Sequence, residues 1–323
     1  MGQSGSGAAV RCLSFHATYR CRNSGDCCTS RWPIPDDKGG FLPLNARGCA
    51  FHNAEAHRCE IHAALGHDAL PLACRQFPRV SVNDPRGVSV ALSCYCPTAL
   101  GMLETFSGEI AIVENAPAFP PAGEYVGLDA RASLPPALRP DVLMDWDSWW
   151  EWERRSVGLC NRDETLRQIL RRLSAAVEHV RTWRPGQGEL IDRVREAFVT
   201  ATTSPGPEGP GLQTILNAGH ERPGLQTILN AGPGRPGLRA IWRAGPSGPA
   251  DSSGPADRAF LASHAFANWT AHLGEGLRTW LRSLETVVFL REAGWTVREI
   301  DLWLRHFADP RLLARAWSAA ERE

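Results

Sequence analysis

Nine cysteines stand within the first 96 residues: Cys12, Cys21, Cys27, Cys28, Cys49, Cys59, Cys74, Cys94 and Cys96, with only Cys160 beyond them. Thiols at this density must be cross-linked, buried one by one or gathered around metal. The opening Met1-Gly-Gln-Ser-Gly-Ser-Gly shows no basic stretch followed by an apolar one, so no secretory signal is read and a cytoplasmic protein is expected. A reducing cytosol keeps thiols free, which puts metal before disulfides. The 35 basic and 35 acidic residues cancel, leaving no net charge to draw the chain to nucleic acid or an anionic membrane. No apolar run reaches the roughly 18 residues that span a bilayer. Neither nucleic acid nor membrane is therefore expected as a partner. Lys38 is the only lysine, so almost all the basic charge is arginine.

The cysteine-rich stretch, residues 1–125, has weak secondary-structure signals: a short strand over Val88–Ser93 and a helix within Arg58–Leu70. Residues 126–140 are proline-punctuated and read as a linker. From 141 the pattern turns helical. Trp146, Trp149 and Trp150 sit at i, i+3, i+4, and Asp163–Trp183 carries the stripe Leu166, Ile169, Leu170, Leu173, Val177 and Val180. Gly188–Thr200 adds another helix. Beyond Asp257 a face of Trp269, Leu273, Leu277, Trp280, Leu281, Leu284 and Val288 is followed by a last helix, Thr296–Phe307. Between them, Pro210–Gly219 recurs unchanged at Pro223–Gly232 and, worn, at Pro236–Gly245, a period of 13. Each copy offers one apolar turn between breakers, too little for a solenoid unit, so 202–256 reads as a disordered loop insert. The expected fold is mostly α: an irregular cysteine-rich metal-binding N-terminal domain (1–125), then a helical C-terminal domain (141–201 and 257–323) interrupted by that insert.

The chemistry-bearing run is Cys21-Arg-Asn-Ser-Gly-Asp-Cys27-Cys28, then Cys49, Cys59 and Cys74-Arg-Gln-Phe-Pro78. Thiolates select zinc, copper(I) or iron–sulfur clusters. Side chains of adjacent cysteines diverge, which suits a larger cluster, two metals, or one ligand with a supporting thiol beside it, better than joint ligation of one small ion. Paired C-x-x-C knuckles, the usual structural-zinc signature, are absent. Both points favour iron–sulfur, with zinc as the alternative. His52, His57, His62 and His67 recur every five residues, a spacing that sweeps around a helix; they read mainly as surface groups or as supports behind the ligands, with His52 or His62 as a further candidate ligand. Arg75 can donate to a cluster sulfide or a ligand carboxylate. The stretch Asp145–Glu153, acidic and rich in tryptophan, reads as a helix anchor or as a face for a cationic side chain.

These motifs resemble the YkgJ-type cysteine-cluster family of zinc- or iron-chelating proteins. Tyr19-Arg20-Cys21, Ser24-Gly25 and Cys27-Cys28 follow its opening motif, and Cys59-Glu60-Ile61-His62 with Cys74-Arg75-Gln76-Phe77-Pro78 follow its second half. Trp32-Pro33-Ile34 and Ser93-Cys94-Tyr95-Cys96-Pro97 are similar to its flagellin lysine-N-methylase branch. The likeness covers residues 15–100. Ser24 departs from it, standing where a cysteine is expected. The resemblance implies a ligand pool of Cys21, Cys27, Cys28, Cys49, Cys59, Cys74 and Cys94, more than the four that one cluster needs. It further implies a [4Fe-4S] cluster (Zn2+ in the alternative), S-adenosylmethionine as methyl donor with Arg75 on the cofactor side, and a protein lysine as substrate. The competing reading is a non-enzymatic module that stores, senses or scaffolds metal. No phosphate-binding glycine loop, Rossmann glycine motif, nucleophile elbow or C-x3-C-x2-C radical motif occurs.

Overall fold

The computed structural model describes residues 9–30, 32–121, 123–203 and 254–307. The three 13-residue repeats lie outside them. The chain divides into two compact units. Unit 1 runs up to Gly108 and includes Ile112–Ala132; unit 2 takes Glu109–Ala111 and continues from Ser133.

Unit 1 begins with β1 (Val10–Leu13), then two small hairpins, β2 (Leu44–Asn45) with β3 (Gly48–Cys49) and β4 (His52–Asn53) with β5 (Arg58–Cys59). Short helices α1 (Glu60–Leu65) and α2 (Leu72–Gln76) lead into the hairpin β6 (Arg79–Asp84) and β7 (Gly87–Leu92), followed by α3 (Pro97–Glu104), β8 (Ile112–Glu114) and β9 (Leu128–Asp129). Five of these strands form one mixed sheet in the order β8-β1-β7-β6-β9, with β1 parallel to β7 and β6 parallel to β9. Asp84 anchors the hairpin turn, accepting from the Arg86 backbone at 2.8 Å and pairing with both Arg86 and Arg11. One face of the sheet carries Val10, Cys12, Val90 and Leu92, packed with Ala99 and Phe119.

This sheet overturns the mostly-α expectation. The described chain is a mixed α/β structure, and unit 1 contains a sheet with its own apolar core. The pattern hid it because all four residues of β1 and the last four of β7 are buried, giving apolar runs without alternation. Val88–Ser93 was the visible piece. The helix expected within Arg58–Leu70 is confined to Glu60–Leu65 and stops at Gly66. Residues 126–140, read as a linker, carry β9 and the strand β10 (Ala137–Arg139).

Unit 2 pairs β10 with β11 (Val142–Leu143) and is otherwise helical among its described residues: α4 (Trp146–Leu159), α5 (Leu166–Arg181), α6 (Leu190–Thr203), α7 (Pro255–Ala265), α8 (Leu277–Glu292) and α9 (Val297–Leu302). Asp145 caps α4 through the Ser148 backbone amide, and Thr165 with Gln168 forms a capping box on α5. Every residue of the expected α5 stripe is buried. The face read from Trp269 to Val288 is broken instead: Trp269–His272 is a 3-10 turn, and α8 starts only at Leu277. Trp152 is fully buried, 5.0 Å from Phe198 and 5.4 Å from Trp280 between ring centres, so this tryptophan of the acidic aromatic stretch anchors α4 to the core. Among the described residues no helix is long and apolar enough to cross a membrane.

Candidate functional site

Local backbone geometry gathers the thiols. Cys27 and Cys28 sit on a 3-10 turn, Asp26–Thr29, closed by the Cys28 amide donating to the Gly25 carbonyl at 2.9 Å. Gly48 of β3 lies against that turn with φ at +127°. A Cβ there would stand 2.2 Å from the Cys28 carbonyl oxygen and 2.9 Å from Thr29 Cα. Only glycine lets the β2–β3 hairpin press this close, and the next residue is Cys49. Gly25, at φ +71°, is approached in the same way by the His57 carbonyl, 2.7 Å from its would-be Cβ. That contact draws the β4–β5 hairpin inward, where Cys59 pairs with His52. Cys74 comes from α2, whose Leu72 amide donates to Asp37 Oδ2 at 2.7 Å.

The result is a group of four thiols centred on Cys28. Cys28 is the common hydrogen-bond partner of Cys27, Cys49 and Cys59. One thiol has one proton, so its three acceptors share it. The pKa of Cys28 is pushed far up, first by the bond to Cys27. Donation from Cys28 is the leading reason that Cys59 is lowered to about 5, Cys49 to about 7, and Cys27 below its ordinary value. Cys74 behaves oppositely: burial, then the neighbouring Cys27, Cys49 and Cys59, raises it to about 12. All ten cysteines are free of disulfides. Among the described residues, no group of three or more His, Cys, Asp or Glu side chains is arranged to hold a metal ion as it stands.

A cavity of about 540 Å³ opens beside the thiols, its wall including Cys21, Cys27, Cys28, Cys59, Cys74 and Cys96. Cys49 is buried behind it. Cys21, exposed, and Cys96 form a second thiol group around Tyr19: the phenol lies 3.6 Å from Cys96 Sγ and also bonds to Cys21. Cys94 is fully buried and does not line the cavity, although its neighbour Cys96 does. Of the seven pooled cysteines, the structure thus groups Cys27, Cys28, Cys49 and Cys59 with Cys74 nearby, sets Cys21 apart at the rim, and keeps Cys94 in the core.

Arg75 lines the cavity, but Nη1 donates to the Leu70 carbonyl at 2.9 Å and Nη2 lies 3.7 Å from Glu124. His62 also lines it, and a hydrogen bond from its backbone contributes to lowering Cys59. Two supports escaped the sequence reading. Asp37 caps α2, and the Tyr95 hydroxyl meets Thr29 Oγ1 at 3.0 Å, tying the Cys27–Cys28 turn to the chain after β7. Neither has a motif spacing that would signal it. Comparison with protein-family models, with curated proteins and with solved structures finds no match.

Proposed function

We propose that unit 1 is a thiolate metal module of a reducing, cytoplasmic setting, in which Cys27, Cys28, Cys49 and Cys59 hold an iron–sulfur cluster, with zinc as the alternative. The observation carrying this reading is the convergence of a turn and two separate hairpins on one place: Cys27, Cys28 and Cys59 line one cavity, Cys28 bonds to each of Cys27, Cys49 and Cys59, and those three are shifted toward the thiolate form that binds metal. Four sulfurs match the donor count of either a [4Fe-4S] cluster or tetrahedral zinc. Cys28, hydrogen-bonded to the other three, must give up its proton and turn to ligate. Loading therefore releases protons and is pH-dependent. Cys74, protonated and adjacent, serves as a neighbouring donor.

The sequence resemblance extends this reading to methyl transfer from S-adenosylmethionine to a protein lysine. A neutral lysine amine would displace the donor's thioether from the methyl group and release a proton. The cavity beside the thiols has the size for a cofactor-class ligand. A bound cluster would supply electron transfer or Lewis acidity at this wall.

The experiment is iron, zinc and acid-labile sulfide analysis with a visible spectrum on protein purified without oxygen. About four iron and four sulfide per chain support the cluster. Zinc without sulfide supports the alternative and ends the methyltransferase reading. Neither metal, even after reconstitution, refutes the module. For a cluster-loaded chain, absence of both S-adenosylmethionine binding and methylation of lysine-containing protein would leave the non-enzymatic reading.

A further inference from the structure

We infer that the same cavity is a binding site for an organic anion, its carboxylate or phosphate head held by Arg79 and Arg58 and its flat apolar body lying against Trp32 and Phe77. Four arginines, Arg20, Arg58, Arg75 and Arg79, line the cavity, and no acidic side chain does so among the described residues. Three other arginines of unit 1 are neutralised within the fold: Arg11 and Arg86 share Asp84, and Arg131 holds Asp129 at 2.6 Å. Arg20, Arg58 and Arg79 have no ion pair with any described residue.

Arg79 is the telling member. It opens β6 directly after the Phe77–Pro78 step, and its Nε is buried with no hydrogen-bond partner among the described residues. A guanidinium donor removed from water and left unbonded is costly unless a ligand supplies the acceptor. Its described electrostatic neighbour is the Tyr125 phenol, which offers no formal charge at neutral pH. Arg58 precedes Cys59 on β5 and lines the same cavity. Guanidinium forks match the planar geometry of carboxylate and the oxygens of phosphate, and several around one cavity attract anions. Trp32 and Phe77, 5.4 Å apart between ring centres, give the same cavity an aromatic side. A bare inorganic ion would leave that side unused, so the ligand is an anion with a body.

This inference shares its cavity with the thiol centre but needs no metal. The test is calorimetric titration of the full-length, reduced, metal-stripped chain with 1-naphthyl phosphate, 1-naphthaleneacetate and the neutral 1-naphthaleneacetamide. At least one anion should bind once per chain, about tenfold or more tighter than the amide, and more weakly as salt rises. Arg79→Gln and the solvent-exposed Arg58→Gln should each weaken it about tenfold; Arg58→Gln keeps the test valid should Arg79→Gln fold poorly. Preference between the two anions assigns the head as phosphate or carboxylate. Equal affinity for the amide, no binding of either anion, or an undiminished affinity in folded Arg58→Gln overturns the site. Zinc titration of the same proteins separates the two proposals. A chain that takes zinc and neither anion refutes the anion site alone, and one that binds anion but takes up neither zinc nor, on anaerobic reconstitution, iron and sulfide refutes the metal module alone.

Discussion

Replacing Gly48 by alanine tests whether backbone approach assembles the thiols. Two costs add. At φ +127° a Cβ-bearing residue occupies a region that side chains disfavour, at about 1–3 kcal/mol. The new methyl would also stand 2.2 Å from the Cys28 carbonyl oxygen, against backbone that cannot rotate away, and such overpacking costs about 1–3 kcal/mol. The expected loss is therefore ~2–6 kcal/mol, a large share of the 5–15 kcal/mol that stabilises a typical domain. Two controls isolate the parts. Gly66→Ala has a positive φ, +86°, with nothing within 4 Å of the added Cβ, so it bears only the conformational cost. Gly101→Ala lies in helix α3, also with open space, and should be neutral or stabilising by up to about 1 kcal/mol. Guanidinium unfolding followed by thiol reactivity is a suitable assay, because nine of the ten cysteines lie in unit 1 and report it selectively. Gly48→Ala should also raise the reactivity of Cys28 in the native state. If Gly48→Ala costs no more than Gly66→Ala, the close approach does not hold the site together.

Other outcomes follow from single contacts. Cys28→Ala removes the donor that lowers Cys59, so the alkylation midpoint of Cys59 should climb from about 5 toward the ordinary thiol range; an unchanged pH profile would break the shared-proton account. Cys12 and Cys160, both raised to about 12 by burial, should resist maleimide at pH 8 while exposed Cys21 labels at once, as mass spectrometry of the modified sites will show. These two thiols stay protonated in the folded chain where the unfolded chain ionises, near 8.5, so the unfolded state binds fewer protons and their contribution lowers stability as pH rises from about 8.5 toward 12. In unit 2, fully buried Glu153 accepts from the Ala267 amide at 2.8 Å, and Glu153→Ala should cost about 2–3 kcal/mol by thermal unfolding, since that amide is left without its acceptor. Thr165→Ala removes the capping box of α5 and should cost about 1 kcal/mol.

The helices of unit 2 were legible because their faces alternate: Leu166 through Val180 follow a 3.6-residue stripe and all face the core. The sheet of unit 1 was not, for two physical reasons. Its central strands are buried on both faces and carry no period of two, and β1 finds its parallel partner in β7, more than 70 residues on, where no local signal reaches. At the site, cysteine identity was visible but selection was not. What separates Cys49 from Cys94 is the glycine contact at Gly48, which places one beside Cys28, and strand pairing before Ser93, which leaves the other in the core. Arg79 reads as one arginine among many until its burial beside a cavity without carboxylates is seen.

The place of β1 inside the sheet also sets an order of events during synthesis. Val10–Leu13 pairs on one side with β7 and on the other with Ile112–Glu114. On a ribosome adding about 5–20 residues per second, roughly 5–20 s pass between Cys12 and Glu114. Throughout that interval eight further cysteines emerge before the frame that separates them can close. The nascent chain is thus most open to oxidants and stray metal while still being made, and its yield should depend on how reducing the compartment is during translation more than on conditions after release.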